Sequence, residues 1–222
     1  MDSIIPDLVL QDNTNQRLPC IVIVDGSTSM DGSPIKKLNE GLQVLEQQLK
    51  SDDIASLRVQ LLILRIGGHN DVEILTDWTD AIDFSAPLIE ANGTTPLGEG
   101  VKVALKKLEE QKKRYKDNQI TYNRPWLFMI TDGAPTDPNW EKAAEKAVES
   151  EKKGKVVVFP IGTEHADFDT LNKFSSRGAL MLKDLDFKEL FVWLSQSVSA
   201  GSQTEIGSET QLPAISWGAV PS

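Results

Sequence analysis

The chain has 222 residues, of which 40% are hydrophobic and 25% are charged, a composition typical of one globular domain with a substantial core. Its formal net charge of −10 argues against a nucleic-acid backbone or an anionic membrane as the main partner. No apolar run in the sequence approaches the roughly 20 residues that a membrane-spanning helix needs.

Residues 1–18 are predicted to form an N-terminal arm, with a short strand at residues 8–10. The arm has neither a basic start nor a long apolar stretch, so the sequence shows no signal peptide. Cys20 is the only cysteine, which leaves no possibility of an internal disulfide. Together these features predict a cytoplasmic protein.

Strand and helix patterns alternate through residues 19–200, which we interpret as one domain. Apolar runs predict strands at residues 21–24, 57–66, 72–75, 126–131, 156–161 and 179–182. Apolar positions at helical spacing predict helices at residues 34–50, 96–113, 139–152, 168–174 and 187–198. A glycine-containing turn at residues 67–70 makes the strand that follows it antiparallel, at the edge of the sheet. The pattern predicts an α/β fold of three layers, a doubly wound, mostly parallel sheet with one antiparallel edge strand.

Residues 201–222 form a C-terminal tail without a helical or strand period. Leu212, Ile215 and Trp217 make it too apolar for a simple linker. Because exposed apolar groups favour association, we expect the tail to dock on the body of the domain.

An acid at the end of a strand, followed by two hydroxyls, gives the first candidate site. Asp25 ends the first buried strand, and Ser27 and Ser29 follow at alternating positions. Open α/β sheets bind ligands beyond the carboxyl ends of their strands, and oxygen atoms suit a hard cation such as Mg²⁺. The alternative is that one of these serines, or Ser33, caps the helix that begins near residue 34. The three side chains together favour a metal site.

The segment Asp25-Gly26-Ser27-Thr28-Ser29 resembles the D-x-S-x-S motif of von Willebrand factor A domains, the first part of their metal-ion-dependent adhesion site (MIDAS). Two later segments resemble the other parts of that site, one at residues 94–95 and one at residues 131–137. The resemblance implies a set of five metal ligands: Asp25, Ser27, Ser29, Thr95 and Asp132. Thr94 is the alternative to Thr95.

Each of the later segments also has a structural interpretation. Thr94 or Thr95 could cap the helix that follows, and Asp132 could belong to a simple Asp-Gly turn. We expect Thr136 and Asp137 to cap the next helix along the chain.

The resemblance also implies a function, that of a protein-binding module without catalysis. Mg²⁺, with Mn²⁺ or Ca²⁺ as possible substitutes, would be the ion, and the two aspartates often reach it through water. An Asp or Glu carboxylate of a partner protein would complete the coordination. Within the family, the sequence of residues 131–137 and the short apolar tail resemble those of TerY-like bacterial proteins of tellurium-resistance and stress-response operons.

Two other functions stay open from the sequence. Haloacid-dehalogenase-type phosphatases also begin with an aspartate like Asp25, but they need a second acid where this chain has Ser27. A structural domain with a vestigial ion site is the other alternative. Neither His69 nor His165 has the spacing of a zinc ligand.

Overall fold

The computed structural model of the protein describes residues 13–69 and 71–219. The strands are β1 (Leu18–Asp25), β2 (Val59–Ile66), β3 (Val72–Asp80), β4 (Trp126–Thr131), β5 (Val157–Thr163), β6 (Leu180–Leu182) and β7 (Gly218–Ala219). The helices are α1 (Ser33–Ser51), α2 (Ala55–Arg58), α3 (Leu97–Asp117), α4 (Trp140–Lys152), α5 (Phe168–Leu171) and α6 (Phe187–Gln203). Two short 3₁₀ turns lie at Thr28–Met30 and Asn172–Phe174. The strand predicted at residues 8–10 lies outside the described residues.

The central strands are buried on both faces, which is why their sequences are almost continuously apolar. Every residue of β1, β2, β4 and β5 is buried. Alternate side chains of β1 enter two different cores, with Val22 and Val24 in one and Ile21 and Ile23 in the other. Helices α1 and α6 close the first core, and helices α3, α4 and α5 close the second. The result is a sheet between two helical layers.

The strand order is β3-β2-β1-β4-β5-β6-β7. All neighbouring pairs from β2 to β6 are parallel, while β3 and β7 are antiparallel to their neighbours. This arrangement confirms the predicted α/β fold with its antiparallel edge strand β3, and adds β7 as a second antiparallel edge strand. The order reverses at β1, which lies between β2 and β4. Sheets of this kind bind ligands at such a switch point, beyond the carboxyl ends of the strands.

The boundaries of helix α2 and strand β3 differ clearly from the prediction. Residues 57 and 58 belong to helix α2, so the prediction of a strand there was wrong. That helix begins because Asp52 Oδ1 accepts hydrogen bonds from the amides of Ile54 (2.9 Å) and Ala55 (2.8 Å). Strand β3 continues to Asp80, five residues beyond its predicted end.

Helix α6 extends past the boundary predicted at residue 200. Gly201 lies within the helix, where it allows close packing against β4. A Cβ atom at this position would lie 2.8 Å from Trp126 Cζ2. The tail therefore leaves the helix only after Gln203.

The tail lies against the body, and its contacts centre on Trp217. This side chain is 2% exposed, and its ring centroid is 5.3 Å from that of Trp193 in a T-shaped arrangement. Trp193 Nε1 donates to the Pro213 carbonyl (3.0 Å), and strand β7 pairs with β6. Leu212 packs partly against the core, whereas Ile215 remains 38% exposed and adds little apolar burial.

None of the helices in residues 13–69 and 71–219 combines the length and the apolar content needed to cross a lipid bilayer.

Candidate metal centre

The centre begins with Asp25, the last residue of β1, whose side chain is fully buried. Its Oδ1 accepts a hydrogen bond from the Ser27 amide (2.8 Å), and its Oδ2 accepts one from the hydroxyl of Thr131, the last residue of β4. Burial raises the pKa of the Asp25 carboxyl, the hydrogen bonds from Thr131 and Ser27 offset part of that rise, and the nearby charge of Asp132 raises the pKa further. The switch point of the sheet thus holds a buried acid.

Hydroxyl groups link this acid to the far side of the site. Ser27 Oγ lies 2.9 Å from Ser29 Oγ, and the Ser29 hydroxyl donates to Asp132 Oδ1 at 2.8 Å. The capping alternative does not hold for these serines. Gly32 is the N-cap of α1, and the Ser27 side chain makes no capping hydrogen bond to the 3₁₀ turn. Oxygen–oxygen contacts therefore join three of the five predicted ligands, Ser27, Ser29 and Asp132, and the Ser27 amide links Asp25 to them.

Thr95 lies beside this cluster, on the loop before α3. Its amide donates to Thr136 Oγ1 (3.1 Å) and its carbonyl accepts from the Thr136 amide (2.9 Å), which joins this loop to the one after β4. A Cβ atom on Gly133 would lie 3.6 Å from Thr95 Oγ1, so the Thr95 hydroxyl faces the residue next to Asp132. Thr95 is 5% exposed and Thr94 is exposed. No side chain of the preceding residues caps α3, whose N-cap is Pro96.

The prediction that Thr136 and Asp137 cap the following helix was wrong. The N-cap of α4 is Asn139, and its side chain makes no capping hydrogen bond. Asp137 Oδ1 instead accepts from the Gly98 amide (3.0 Å) in the first turn of α3. Both residues therefore hold the loop after β4 against the start of α3, and sequence spacing gives no sign of this tertiary contact.

The donor set fits a hard divalent cation on two grounds. The hydroxyl and carboxylate oxygens of Ser27, Ser29 and Asp132 lie within 2.9 Å of their neighbours, and such an all-oxygen set is the kind that hard cations prefer. In the described ranges, neither Asp25 nor Asp132 forms an ion pair with a basic side chain. The same ranges contain no cluster of three or more His, Cys, Asp and Glu side chains placed for a metal. A cation here would depend on the hydroxyls.

Sequence reasoning missed two residues that shape the site. Thr131 lies within the segment 131–137, but its sequence position does not show that its hydroxyl donates to Asp25. Arg65, the penultimate residue of β2, supports the loop at Gly26 from behind. Its one visible signal in the sequence is that it is the only charged residue of β2, whose other residues are apolar except for Gln60.

The sequence matches the von Willebrand factor type A domain family over residues 20–193. No curated protein sequence matches the chain.

Solved structures share its fold at low sequence identity. The ArnB paralog VWA2 from Sulfolobus acidocaldarius is 19% identical (TM-score 0.56), with 83% of this chain and 46% of that chain covered. Proximal thread matrix protein 1 from the mussel byssus, with a zinc-occupied MIDAS motif, is 15% identical (TM-score 0.54; 82% and 49% covered). The hypothetical protein BatB from Bacteroides thetaiotaomicron is 16% identical (TM-score 0.56; 84% and 100% covered).

This chain thus spans less than half of the first two proteins and all of the third. At these identities the structures show a common fold only. The family match, however, covers most of the sequence and includes the loops described above. The chain belongs to the von Willebrand factor type A domain family.

Proposed function

We propose that the domain binds one Mg²⁺ ion, with Mn²⁺ or Ca²⁺ as possible substitutes. Ser27, Ser29 and Thr95 would bind through their hydroxyls, and Asp25 and Asp132 directly or through water. The observation that supports this most is the Ser29 hydroxyl, which lies between Ser27 Oγ and Asp132 Oδ1 and so links the loop after β1 to the loop after β4. An all-oxygen set of this kind is the one that Mg²⁺ prefers. Zinc belongs in the same titration, because the mussel thread protein holds it in its MIDAS.

We further propose that the bound ion serves to capture an Asp or Glu carboxylate of a partner protein. The ion would supply an electrophilic centre, because the hydroxyl ligands neutralise none of its charge. The chain provides the access, since Ser29 and Thr28 are exposed while Asp25 is buried beneath them. The partner would therefore approach from the hydroxyl side of the site.

Two observations favour binding over phosphatase chemistry. A phosphatase of the haloacid-dehalogenase type would use Asp25 as its nucleophile, but both oxygens of this carboxylate are buried and accept hydrogen bonds. The position of the general acid holds Ser27, which cannot donate a proton near neutral pH. These two observations do not test the other alternative, a structural domain with a vestigial ion site. Metal titration separates that alternative from our proposal.

The cellular setting is a further proposal, which rests on the sequence alone. The sequence of residues 131–137 and the apolar tail favour a TerY-like protein of the bacterial cytoplasm, acting in tellurium resistance or stress response. Loss of the gene would then sensitise the bacterium to tellurite. Restoration of resistance by the wild-type protein, but not by the Asp25→Ala variant, would connect that phenotype to the metal centre.

The decisive experiment measures the thermal midpoint of unfolding in Mg²⁺ and in chelator at equal ionic strength, followed by a pull-down under both conditions. Binding to the native state alone raises the midpoint with ion concentration. The Asp25→Ala variant should lose both the rise and the Mg²⁺-dependent partners. Asp31→Ala is the matched control, because Asp31 is an exposed acid of the same loop outside the ligand set. Equal midpoints for the wild-type protein in both solutions would contradict the proposal.

A further inference from the structure

Arg65 lies behind the metal-binding loop and joins it to a second chain segment. The residue is 9% exposed at the carboxyl end of β2. Its Nη2 donates to the Glu90 carbonyl (2.6 Å) and to Asn92 Oδ1 (3.0 Å). The planar guanidinium supports two acceptors at fixed angles, so it holds residues 90–92 in place.

That segment in turn holds the peptide between the first two predicted ligands. The Asn92 amide donates to the Gly26 carbonyl (2.8 Å), and Arg65 Nη2 lies 3.5 Å from the same oxygen. The Gly26 carbonyl and the Ser27 N–H belong to one planar peptide unit, so fixing one fixes the other. The Ser27 N–H is the group that donates to Asp25 Oδ1. A chain of contacts therefore runs from Arg65 through Asn92 and Gly26 to the Asp25 carboxylate.

The packing at Gly26 shows that the arginine and the loop are fitted to each other. A Cβ atom on Gly26 would lie 2.5 Å from Arg65 Nε, so only glycine leaves room for this side chain. Arg65 Nε is buried and has no hydrogen-bond partner in the described part of the chain. A buried donor without a partner destabilises a fold, and its presence in a native structure calls for an explanation. The other two guanidinium nitrogens are held in place, Nη2 by the Glu90 carbonyl and Asn92 Oδ1 and Nη1 near Glu73 Oε2 (3.7 Å), and this placement leaves Nε without an acceptor.

We propose that Arg65 is a positioning residue of the metal centre. It does not contact the ion. It sets the orientation of the Gly26–Ser27 peptide and, through it, the directions of the Asp25 carboxylate and the Ser27 hydroxyl. This inference rests on the proposed function, since it presumes that these side chains bind a cation.

The test measures Mn²⁺ binding to the full chain. Binding is monitored as the loss of the electron paramagnetic resonance signal of the free ion. Supporting groups behind metal ligands are worth about 10- to 100-fold in affinity, and we expect Arg65→Met to weaken binding by that factor. Arg58→Met is the matched control. Arg58 also donates to a backbone carbonyl (Ser202, 2.9 Å), but it is the last residue of α2 and precedes the end of β2 that lies opposite Arg65. Its loss should leave the Mn²⁺ affinity within about twofold of the wild-type value.

Arg65→Lys separates geometry from charge. Lysine keeps the positive charge but lacks the planar group whose two N–H donors point at fixed angles. The Arg65→Lys variant should therefore bind Mn²⁺ more weakly than the wild-type protein. Circular dichroism in chelator must show a native spectrum for each variant. If Arg65→Met does not fold, Asn92→Ala replaces it. This substitution removes the side-chain Oδ1 acceptor and keeps the backbone N–H that donates to Gly26. That variant should also weaken binding.

The outcomes distinguish this inference from the proposed function. Wild-type protein without Mn²⁺ affinity would refute the function itself and the inference with it. Wild-type binding combined with unchanged affinity in Arg65→Met, or in Asn92→Ala where it replaces that variant, would overturn the inference alone. Wild-type affinity in Arg65→Lys would assign the effect to charge and would also overturn it.

Discussion

Removal of the tail after Thr204 should destabilise the domain, and the single substitution Trp217→Ala should destabilise it by nearly the same amount. Both variants take away the side chain that anchors the tail on Trp193. The cut falls after Thr204 because α6 runs to Gln203 and because the Thr204 carbonyl accepts from Asn123 Nδ2 (3.0 Å).

The expected size follows from the burial of Trp217. A tryptophan removes about 150–250 Å² from water, which corresponds to about 4–6 kcal/mol at 25 cal/mol per Å². Ordering the tail residues opposes this gain, so we expect a net docking free energy of about 1–3 kcal/mol. This net docking free energy is the upper limit of the destabilisation, because a tail that loses more binding free energy than this detaches from the body. Trp217→Ala therefore cannot cost more than the truncation does.

Urea unfolding followed by circular dichroism measures both variants. The truncated protein should show a lower midpoint and a smaller slope, since less surface is exposed on unfolding. Release of the tail should also shift Trp193 emission to longer wavelength, as its ring loses Trp217 and the Pro213 carbonyl. Ile215→Ala is the control, with a change within about 0.5 kcal/mol for this partly exposed residue. An unchanged midpoint after truncation, or a loss in Trp217→Ala well above that of the truncation, would refute the reasoning.

Three further predictions concern the site and its supports. At a Mg²⁺ concentration of 100 times the dissociation constant, the ion should stabilise the wild-type protein by about 2.7 kcal/mol and raise its midpoint by about 5–11 °C. Asp25→Ala should keep the fold and show no such rise, and collapse of the fold would assign Asp25 a structural role. Asp137→Ala should cost about 1 kcal/mol in urea unfolding, because it leaves the Gly98 amide at the start of α3 without its acceptor. Burial alone raises the pKa of Asp52, but hydrogen bonds from the Ala55 amide and the Ser199 hydroxyl outweigh it and hold the pKa below its ordinary value. A lowered native pKa gives stability that is present above the unfolded pKa and lost as pH falls, so the excess stability of the wild-type protein over Asp52→Asn should shrink below about pH 4.

The sequence predicted the layers of this fold well because each strand carries its own evidence. A strand such as β1, buried on both faces, must be apolar throughout, and the helices must present a stripe to the same cores. The edge position of β3 also followed from a local signal, the tight turn before it. Helix α2 was different, since four residues are too few to show a period, and the run at Leu57 continues the apolar pattern of β2.

The site shows the same limit more sharply. The order of the strands brings together the loops that end β1 and β4, so a cluster of Asp25, Ser29 and Asp132 is a consequence of topology. What the sequence could not give is how those loops are held. Asp137 acts on a helix that precedes it by 39 residues, and Arg65 acts through a carbonyl 25 residues away. Contacts of this kind depend on tertiary packing and leave no local spacing to read.

The separation of the site's halves along the chain has a consequence for how the domain folds. Ser29 and Asp132 are 103 residues apart in the sequence, yet their side chains share a hydrogen bond. Closing so long a loop has a large entropic cost, so this contact forms only after β4 has joined β1. An ion held there would stabilise the finished domain and contribute little to the folding transition state. Stopped-flow measurements should thus show Mg²⁺ slowing unfolding while leaving the refolding rate almost unchanged. A growing chain would acquire its affinity for the ion only once residue 132 had been synthesised and packed.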